Sequence, residues 1–237
     1  MVLNTLSQHT RGQFALLIDP DKNISNLTTL VKHAEEFGVD LILVGGSLVR
    51  GYMDETILLI KKKCSIPVVL FPGSVFQFSP HAHAILLLSL ISGRNPEFLI
   101  GNHVIAAQAI RDSGMEVIPT GYMLIGSGEP TSVQYISNTM PIPRSKTDIA
   151  VATALAGEQL GLKVIYLEGG SGADEIVPPL LVQAVCSSVG VPVVVGGGIR
   201  SPGQVKALRH AGASMVVVGN AIESNPELFQ KLVEASR

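Results

Sequence analysis

The chain has 237 residues, of which 46% are hydrophobic and 15% are charged, as is typical of one large α/β domain. Its formal net charge is -2, with only 17 lysines and arginines, which excludes a broad basic field for nucleic acid and requires any phosphate recognition to be local. Cys64 and Cys186 are the only cysteines, too few for a disulfide framework or a thiolate metal site, and they favour a reducing cytoplasm.

Neither a signal peptide nor a membrane helix is expected. The segment before residue 14 lacks the apolar core of a signal peptide, and no apolar run reaches the roughly 18 residues that a membrane helix requires. Residues 84–92, AILLLSLIS, come closest. We interpret this run as a buried helix, and the alternative is a wall of an apolar ligand site.

Apolar segments alternate with helical ones along the chain, which predicts a parallel sheet with crossover helices. We expect a single, modified (β/α)8 barrel over residues 1–237, because weak internal repeats suit a barrel. An open doubly wound sheet is the alternative, but it would bind ligands near the middle of the chain. The predicted strands are residues 14–19, 40–45, 67–71, 97–101, 116–120, 163–168, 192–196 and 214–219.

Residues typical of helix ends predict helices between the strands. Ser201 and Pro202 form a favourable N-cap and first-turn pair. Residues 121–146 lack clear periodicity and are predicted to be a functional loop, or else a simple connection. The predicted helices, each of which ends in a glycine suited to a C-terminal cap, are residues 26–38, 103–114, 148–161 and 201–212.

Two glycine turns near the end of the chain predict a phosphate site. Gly196–Gly198 follow three valines, and Gly219 with Asn220 follows another three. Backbone amides without a neighbouring Cβ can approach an anion closely. In a barrel, the loops after the seventh and eighth strands often form such a site. The alternative is that these glycines only make tight turns.

Acidic and hydroxyl side chains end other predicted strands. Asp19 and Asp21 flank Pro20, and such a carboxylate can bind a hard cation or act as a base, although turn chemistry would also explain it. Ser47 could complete an oxygen shell for magnesium. Glu168 ends an apolar strand beside a glycine-rich loop, where it could take a proton from a bound hydroxyl; a structural acid at the rim is the alternative.

The histidines offer weaker signals. His81 and His83 have a spacing that could suit a metal, but no third ligand lies nearby in the sequence. His103 is a better candidate for a residue at the rim of the barrel. Neither a Ser-His-Asp nor a Cys-His nucleophile can be assembled with conviction, and no P-loop motif occurs.

Six segments in this order resemble geranylgeranylglyceryl phosphate synthases and their bacterial PcrB-like relatives. The resemblance runs from about residue 14 to 223 and implies a modified TIM barrel. It also implies Mg²⁺-dependent transfer of a prenyl group from an all-trans prenyl diphosphate to the 3-hydroxyl of sn-glycerol 1-phosphate, with release of pyrophosphate. The segments are IDPDK (18–22), VGGS (44–47), TGYMLIGSG (120–128), YLEGGSG (166–172), VGGGI (195–199) and VGNAI (218–222).

The resemblance also implies roles for individual residues. Asp19 and Ser47 match magnesium positions, and Glu168 matches a glutamate that engages the glycerol hydroxyl, so Glu168 and Asp19 are the expected catalytic residues. The glycine turns are then assigned to the acceptor's phosphate, and the donor diphosphate to the region near Asp19 and Ser47. The expected substrate-binding residues are Tyr166, Leu167, Glu168, Gly169, Gly170, Ser171, Gly172, Gly197, Gly198, Gly219 and Asn220.

One departure concerns Leu17, where some bacterial members carry a lysine. The longer YLEGGSG loop and the GYMLIGSG segment look more like the second of the family's two subgroups, which implies a geranylgeranyl donor. The family resemblance also implies a homo-oligomer, either a dimer or a hexamer. Two other functions stay open: an isomerase or lyase of small phosphorylated metabolites, and a non-catalytic phosphate-sensing barrel. Candidates for an apolar groove are Pro72, Val75, Phe76, Tyr122, Met123 and residues 84–92.

Overall fold

A computed structural model describes residues 1–7, 12–22, 26–51, 53–126 and 128–237. Its eight parallel strands close into a barrel in sequence order, and the last strand pairs with the first. The predicted (β/α)8 architecture is therefore confirmed. The strands are β1 (Gln13–Ile18), β2 (Leu41–Val44), β3 (Val68–Leu70), β4 (Ala84–Leu90), β5 (Glu116–Leu124), β6 (Val164–Glu168), β7 (Val193–Gly196) and β8 (Met215–Val218).

Helices surround the barrel, and the four that the sequence predicted end one or two residues before their predicted glycines. Gly114 adopts a left-handed φ of 67° at the end of its helix, and the Ser201 hydroxyl caps another by accepting a hydrogen bond from the Gln204 N–H. Within the described residues, no helix is both long and apolar enough to cross a membrane. The helices are α1 (Val2–Leu6), α2 (Leu27–Glu36), α3 (Met53–Lys63), α4 (Asn102–Ser113), α5 (Ser132–Ser137), α6 (Thr147–Gln159), α7 (Pro179–Cys186), α8 (Pro202–His210), α9 (Asn220–Ser224) and α10 (Phe229–Ala235).

Strand alternation divides the core into two layers. Along β6, Val164 and Tyr166 face the barrel interior, whereas Ile165 and Leu167 pack against the helices, because successive side chains of a strand point to opposite faces. The short helix α1 places Val2 and Leu6 in the interior layer. Its first amides donate to the Glu116 carboxylate at the amino-terminal end of β5. This end is therefore covered, which leaves the carboxyl ends of the strands for a ligand.

Two predictions in the middle of the chain were wrong, one of a helix and one of a strand. Residues 84–92, interpreted as a buried helix, contain β4, which pairs with β5 from Ala84 to Leu90. Residues 97–101, predicted as a strand, form one π-helical turn that leads into α4. A short, continuous apolar run fits a buried strand and a buried helix equally well, so periodicity could not separate them.

The connection between β3 and β4 differs from the others, since residues 71–83 contain only a 3₁₀ turn, Val75–Gln77. No crossover helix of its own therefore covers β4, and Leu87 and Leu88 remain half-buried. This opening explains why the run at 84–92 is apolar on both faces yet is not fully enclosed.

The long segment at residues 121–146 is more ordered than predicted. Strand β5 continues through Leu124, Ile125 forms a bridge with Ile142, and α5 interrupts the rest. Ser127, in the same segment, lies outside the described residues.

Candidate active site

Glu168 is the last residue of β6 and points into the mouth of the barrel, where it is only 5% exposed. Its Oε1 accepts a hydrogen bond from the Gly170 N–H at 2.6 Å. Burial raises the pKa of the carboxyl to about 7, although the Gly170 amide and the hydroxyls of Tyr122 and Tyr166 act in the opposite direction. A carboxylate with a pKa near neutrality is suited to accept a proton from a bound hydroxyl.

Two tyrosines lie beside this carboxylate, and the Phe71 ring packs against both of them. The Tyr166 ring centroid lies 5.0 Å from that of Phe71 and 5.4 Å from that of Tyr122. Burial, with the nearby Glu168 charge, raises the pKa of both tyrosines well above the usual 10, so both hydroxyls keep their protons. The Tyr166 hydroxyl is close enough to influence Glu168, yet it makes no hydrogen bond of normal geometry among the described residues.

The register of the sheet creates this cluster. Tyr122 pairs with Tyr166, and Leu124 pairs with Glu168, so residues more than 40 positions apart lie side by side. Sequence reasoning placed Tyr122 only in the apolar groove and missed its contact with the carboxylate. An alternating pattern along β5 and β6 could have suggested a shared face, but only the register shows which residues meet.

The two predicted glycine turns meet beside Glu168. Gly197 has a φ of 88°, and a Cβ there would lie 2.5 Å from the Glu168 Oε1. A Cβ on Gly219 would lie 2.9 Å from the Leu17 carbonyl oxygen. Gly198 and Asn220 line the same cleft as these residues. Glycine is thus required here by close approach of the backbone to its neighbours, and both turns border one site.

The segment from Tyr166 to Gly172 divides between two roles. Tyr166, Ser171 and Gly172 line the cleft, and the Ser171 hydroxyl accepts a hydrogen bond from the Asn220 side-chain amide at 3.1 Å. The Leu167 side chain is buried in the outer layer, so only its backbone could reach a ligand. Gly169 donates its N–H to the Gly196 carbonyl at 2.9 Å. Gly170 holds Glu168, as described above.

Asp19 and Ser47 lie at the opposite side of the mouth and line the same cleft. The Lys22 ammonium is 3.3 Å from the Asp19 Oδ2, and a Cβ on Gly46 would lie 3.4 Å from that oxygen. The carboxylate is therefore next to the turn that carries Ser47. Asp21 instead accepts the Arg50 N–H at 2.8 Å and so joins two loops.

These residues fit a magnesium ion of the kind that binds a substrate phosphate. No group of three or more His, Cys, Asp or Glu side chains that could enclose a metal occurs in the described part of the chain. Mg²⁺, however, commonly uses one or two carboxylates and completes its shell with water and substrate phosphates. The Asp19 carboxylate and the Ser47 hydroxyl line the same cleft and are oxygen ligands of the type that such a partial shell uses.

The cleft has a volume of about 730 Å³ and extends from the polar mouth into an apolar groove between β4 and α4. The run at 84–92 thus forms a ligand wall, the alternative to the buried helix. Two groove predictions were wrong: Phe76 is 90% exposed outside the cleft, and Met123 is buried in the outer layer. The apolar lining includes Pro72, Val75, Phe78, Leu87, Leu88, Phe98, Ala106, Ile110, Tyr122, Val133 and Ile136.

The histidines take different positions. His83 accepts the Val68 N–H at 2.9 Å, and burial lowers its pKa. His81 lies 4.0 Å from the Asp54 carboxylate on α3. His103 lines the apolar part of the cleft, with its Nε2 3.3 Å from the Ser89 hydroxyl. Of the three, only His103 contributes to the cleft.

Comparison with known proteins agrees with this geometry. The PcrB family matches residues 7–236. The chain belongs to the PcrB family.

Relatives within the PcrB family cover almost the whole chain. A geranylgeranylglyceryl phosphate synthase from Spirosoma linguale is 50% identical over 229 residues, which are 96% of this chain and 92% of that protein. The synthase from Pyrococcus abyssi is 42% identical and covers 100% of this chain and 96% of its own length. The resemblance described from the sequence motifs is confirmed.

A solved structure of the same kind of enzyme closely matches the fold. The (S)-3-O-geranylgeranylglyceryl phosphate synthase from Thermoplasma acidophilum, in complex with its substrate sn-glycerol-1-phosphate, has a TM-score of 0.93 at 34% identity and covers 99% of this chain and 98% of that one. The N-acetylmannosamine-6-phosphate 2-epimerase from Clostridium perfringens, with a TM-score of 0.61 at 13% identity, covers 99% of this chain and 96% of its own and shares the fold alone.

Proposed function

We propose that this chain is a geranylgeranylglyceryl phosphate synthase, which transfers a geranylgeranyl group from its diphosphate to the 3-hydroxyl of sn-glycerol 1-phosphate. One observation carries the proposal. A single cleft joins two glycine turns, a buried carboxylate of pKa about 7 and a long apolar groove. The names of its relatives in the PcrB family support the same activity.

Glu168 acts on the acceptor. The turns at Gly197 and Gly219 hold the phosphate through their amides, which places the 3-hydroxyl beside the carboxylate. As the hydroxyl oxygen bonds to the first carbon of the prenyl chain, the bond from that carbon to the diphosphate oxygen breaks. The leaving diphosphate takes the electron pair, and the hydroxyl proton passes to Glu168. Both tyrosine hydroxyls stay protonated beside the carboxylate.

Asp19 and Ser47 would hold Mg²⁺ together with the donor's diphosphate. When bound there, the ion would stabilise the negative charge that grows on the leaving group. The Asp19 carboxylate and the Ser47 hydroxyl lie at the mouth of the cleft, on the side opposite Glu168. The acceptor hydroxyl and the leaving diphosphate would thus lie on opposite sides of the reacting prenyl carbon.

The groove between β4 and α4 would hold the prenyl tail. Its lining is largely apolar, and burial of each CH₂ group contributes about 0.8 kcal/mol. Much of the donor's affinity would therefore come from this groove. An isomerase or lyase of small phosphorylated metabolites has no use for such a groove, and a sensing barrel has no use for a carboxylate with a raised pKa.

We also propose a cytoplasmic homo-oligomer, a dimer or hexamer as the family resemblance implies. Helix α4 supports this assembly because Val104 and Ile105 on its surface are 69% and 68% exposed, and burying such apolar side chains favours association. Light scattering of the purified chain would test it, and a monomer at all concentrations would refute it.

The activity is tested with purified protein, Mg²⁺, geranylgeranyl diphosphate and sn-glycerol 1-phosphate. We expect release of pyrophosphate and formation of the ether, with loss of both when Mg²⁺ is chelated. Shorter and longer prenyl diphosphates should react more slowly. Absence of pyrophosphate release with prenyl diphosphates of every chain length would refute the proposal. Turnover of a sugar phosphate without any prenyl donor would favour the isomerase or lyase.

A further inference from the structure

Residues 169–174, here called the acceptor loop, are held by a side chain from the neighbouring turn. Arg200 follows the glycine turn after β7, and its guanidinium donates to two carbonyl oxygens of the loop. Nη2 donates to Gly172 and Nη1 to Asp174, each at 3.1 Å. Arg200 also lines the cleft, so the fork that holds the loop lies at the edge of the substrate site.

Arg200 is itself fixed to the start of α8. The Gln204 side-chain oxygen accepts the N–H groups of Arg200 and Ser201 at 2.7 and 3.0 Å. The Ser201 hydroxyl accepts the Gln204 N–H at 3.3 Å, which completes a capping box. The backbone of Arg200 is thus part of a rigid helix end, from which its side chain can hold a flexible partner in place.

The acceptor loop needs such a restraint. Gly170 and Gly172 have φ values of 102° and 74°, and glycines of this kind are ordered only at a high cost in backbone entropy. By accepting hydrogen bonds from the guanidinium, the carbonyls of Gly172 and Asp174 turn toward Arg200. A planar guanidinium can bridge two acceptors in this way, whereas an ammonium has no such fork.

The charge of Arg200 is also available to an anion. Among the described residues that line the cleft, the lysine and arginine side chains are Lys22 and Arg200. Lys22 pairs with the Asp19 carboxylate, whereas the partners of the guanidinium are the two carbonyls, which carry no net charge. A phosphate beside Gly197 would therefore meet a positive charge that forms no ion pair with a carboxylate in the described part of the chain.

We propose that Arg200 is a positioning residue for the acceptor's phosphate: it shapes the acceptor loop around the phosphate and supplies the cationic field there. This inference rests on the proposed function, since it assigns the loop to glycerol 1-phosphate. It predicts that Arg200 governs affinity for the acceptor and leaves affinity for the prenyl donor unaffected.

Steady-state kinetics of Arg200→Ala and Arg200→Lys test the proposal. For Arg200→Ala we expect the KM for glycerol 1-phosphate to rise by about 10- to 100-fold, the loss typical of one or two hydrogen bonds from a charged group. The KM for geranylgeranyl diphosphate and kcat should stay within about threefold, because Arg200 acts only on the acceptor. A general loss of structure would instead change both KM values and kcat. Arg200→Lys keeps the charge but not the fork, so its KM should be intermediate. Arg111→Ala, which removes an exposed arginine on α4, should leave all three constants unchanged.

Binding of glycerol 1-phosphate by calorimetry, without the donor, separates the possible failures. Binding by the wild type, with a large loss of affinity in Arg200→Ala and a smaller loss in Arg200→Lys, would support the inference. Binding that is equally tight in wild type and Arg200→Ala would overturn it and leave the proposed function intact. A wild type that binds no glycerol 1-phosphate would refute the proposed function and the inference with it. If Arg200→Ala does not fold, Arg200→Lys decides by the same criterion.

Discussion

Replacement of Glu168 by glutamine should stabilise the protein at alkaline pH while it removes most of the activity. The carboxyl has a pKa of about 7 in the folded protein against an ordinary 4.5, because the folded chain buries it. Each pKa unit corresponds to about 1.4 kcal/mol, so ionised Glu168 lowers the free energy of unfolding by about 3 kcal/mol. A glutamine pays no such penalty, and its side-chain oxygen can still accept the Gly170 N–H.

The direction of the pH dependence follows from whether the folded or the unfolded state keeps the Glu168 proton. Between pH 4.5 and 7 the folded protein retains a proton that the unfolded chain has lost, so the wild type becomes less stable as the pH rises. The free energy of unfolding, measured by urea denaturation, should therefore be nearly equal for wild type and Glu168→Gln at pH 4.5. At pH 8 the variant should exceed the wild type by up to about 3 kcal/mol.

The difference between the two proteins is the quantity to measure, because contributions from other titrating groups cancel in it. Glu129→Gln is a matched control, since it makes the same chemical change at an exposed position and should show no pH-dependent difference. Turnover of Glu168→Gln should fall at least about 100-fold, since an amide cannot accept the hydroxyl proton. If the stability difference between Glu168→Gln and the wild type were the same at pH 4.5 and pH 8, the claim that burial raises the pKa of Glu168 would be refuted.

Three further substitutions test other parts of the site. Asp19→Asn should reduce turnover by at least about 100-fold, because an uncharged amide would bind a cation at the leaving group more weakly than the carboxylate does. An equal loss of turnover in Asp21→Asn would argue against a special role for Asp19. Gly197→Ala should lower the free energy of unfolding by about 1–3 kcal/mol in urea denaturation, because its φ is 88° and its Cβ would meet the Glu168 Oε1 at 2.5 Å; wild-type stability with full turnover would contradict this. Ala106→Trp should raise the KM for geranylgeranyl diphosphate and leave that for glycerol 1-phosphate unchanged, since the indole would occupy the apolar groove; unchanged donor kinetics would place the tail elsewhere.

The sequence by itself determined the fold class, the family and the main polar residues of the mouth. Each of these depends on local signals. Valine-rich segments that end in glycine predict buried parallel strands, and the carboxyl ends of such strands share one edge of a barrel. Glu168, Asp19 and the glycine turns all lie at or just after the ends of strands, so their position on that edge could be predicted without knowing which strands are neighbours.

Only the tertiary structure decided what those local signals left ambiguous. The run at 84–92 is apolar throughout, and its assignment to β4 depends on pairing with β5, which no short segment encodes. The contact of Tyr122 with Glu168 depends on the register of β5 against β6. The hydrogen bonds from Arg200 to the acceptor loop depend on the direction in which its side chain leaves the neighbouring turn. These features arise from pairing and packing between distant segments, and they determine the pKa of the carboxylate, the course of the groove and the shape of the acceptor loop.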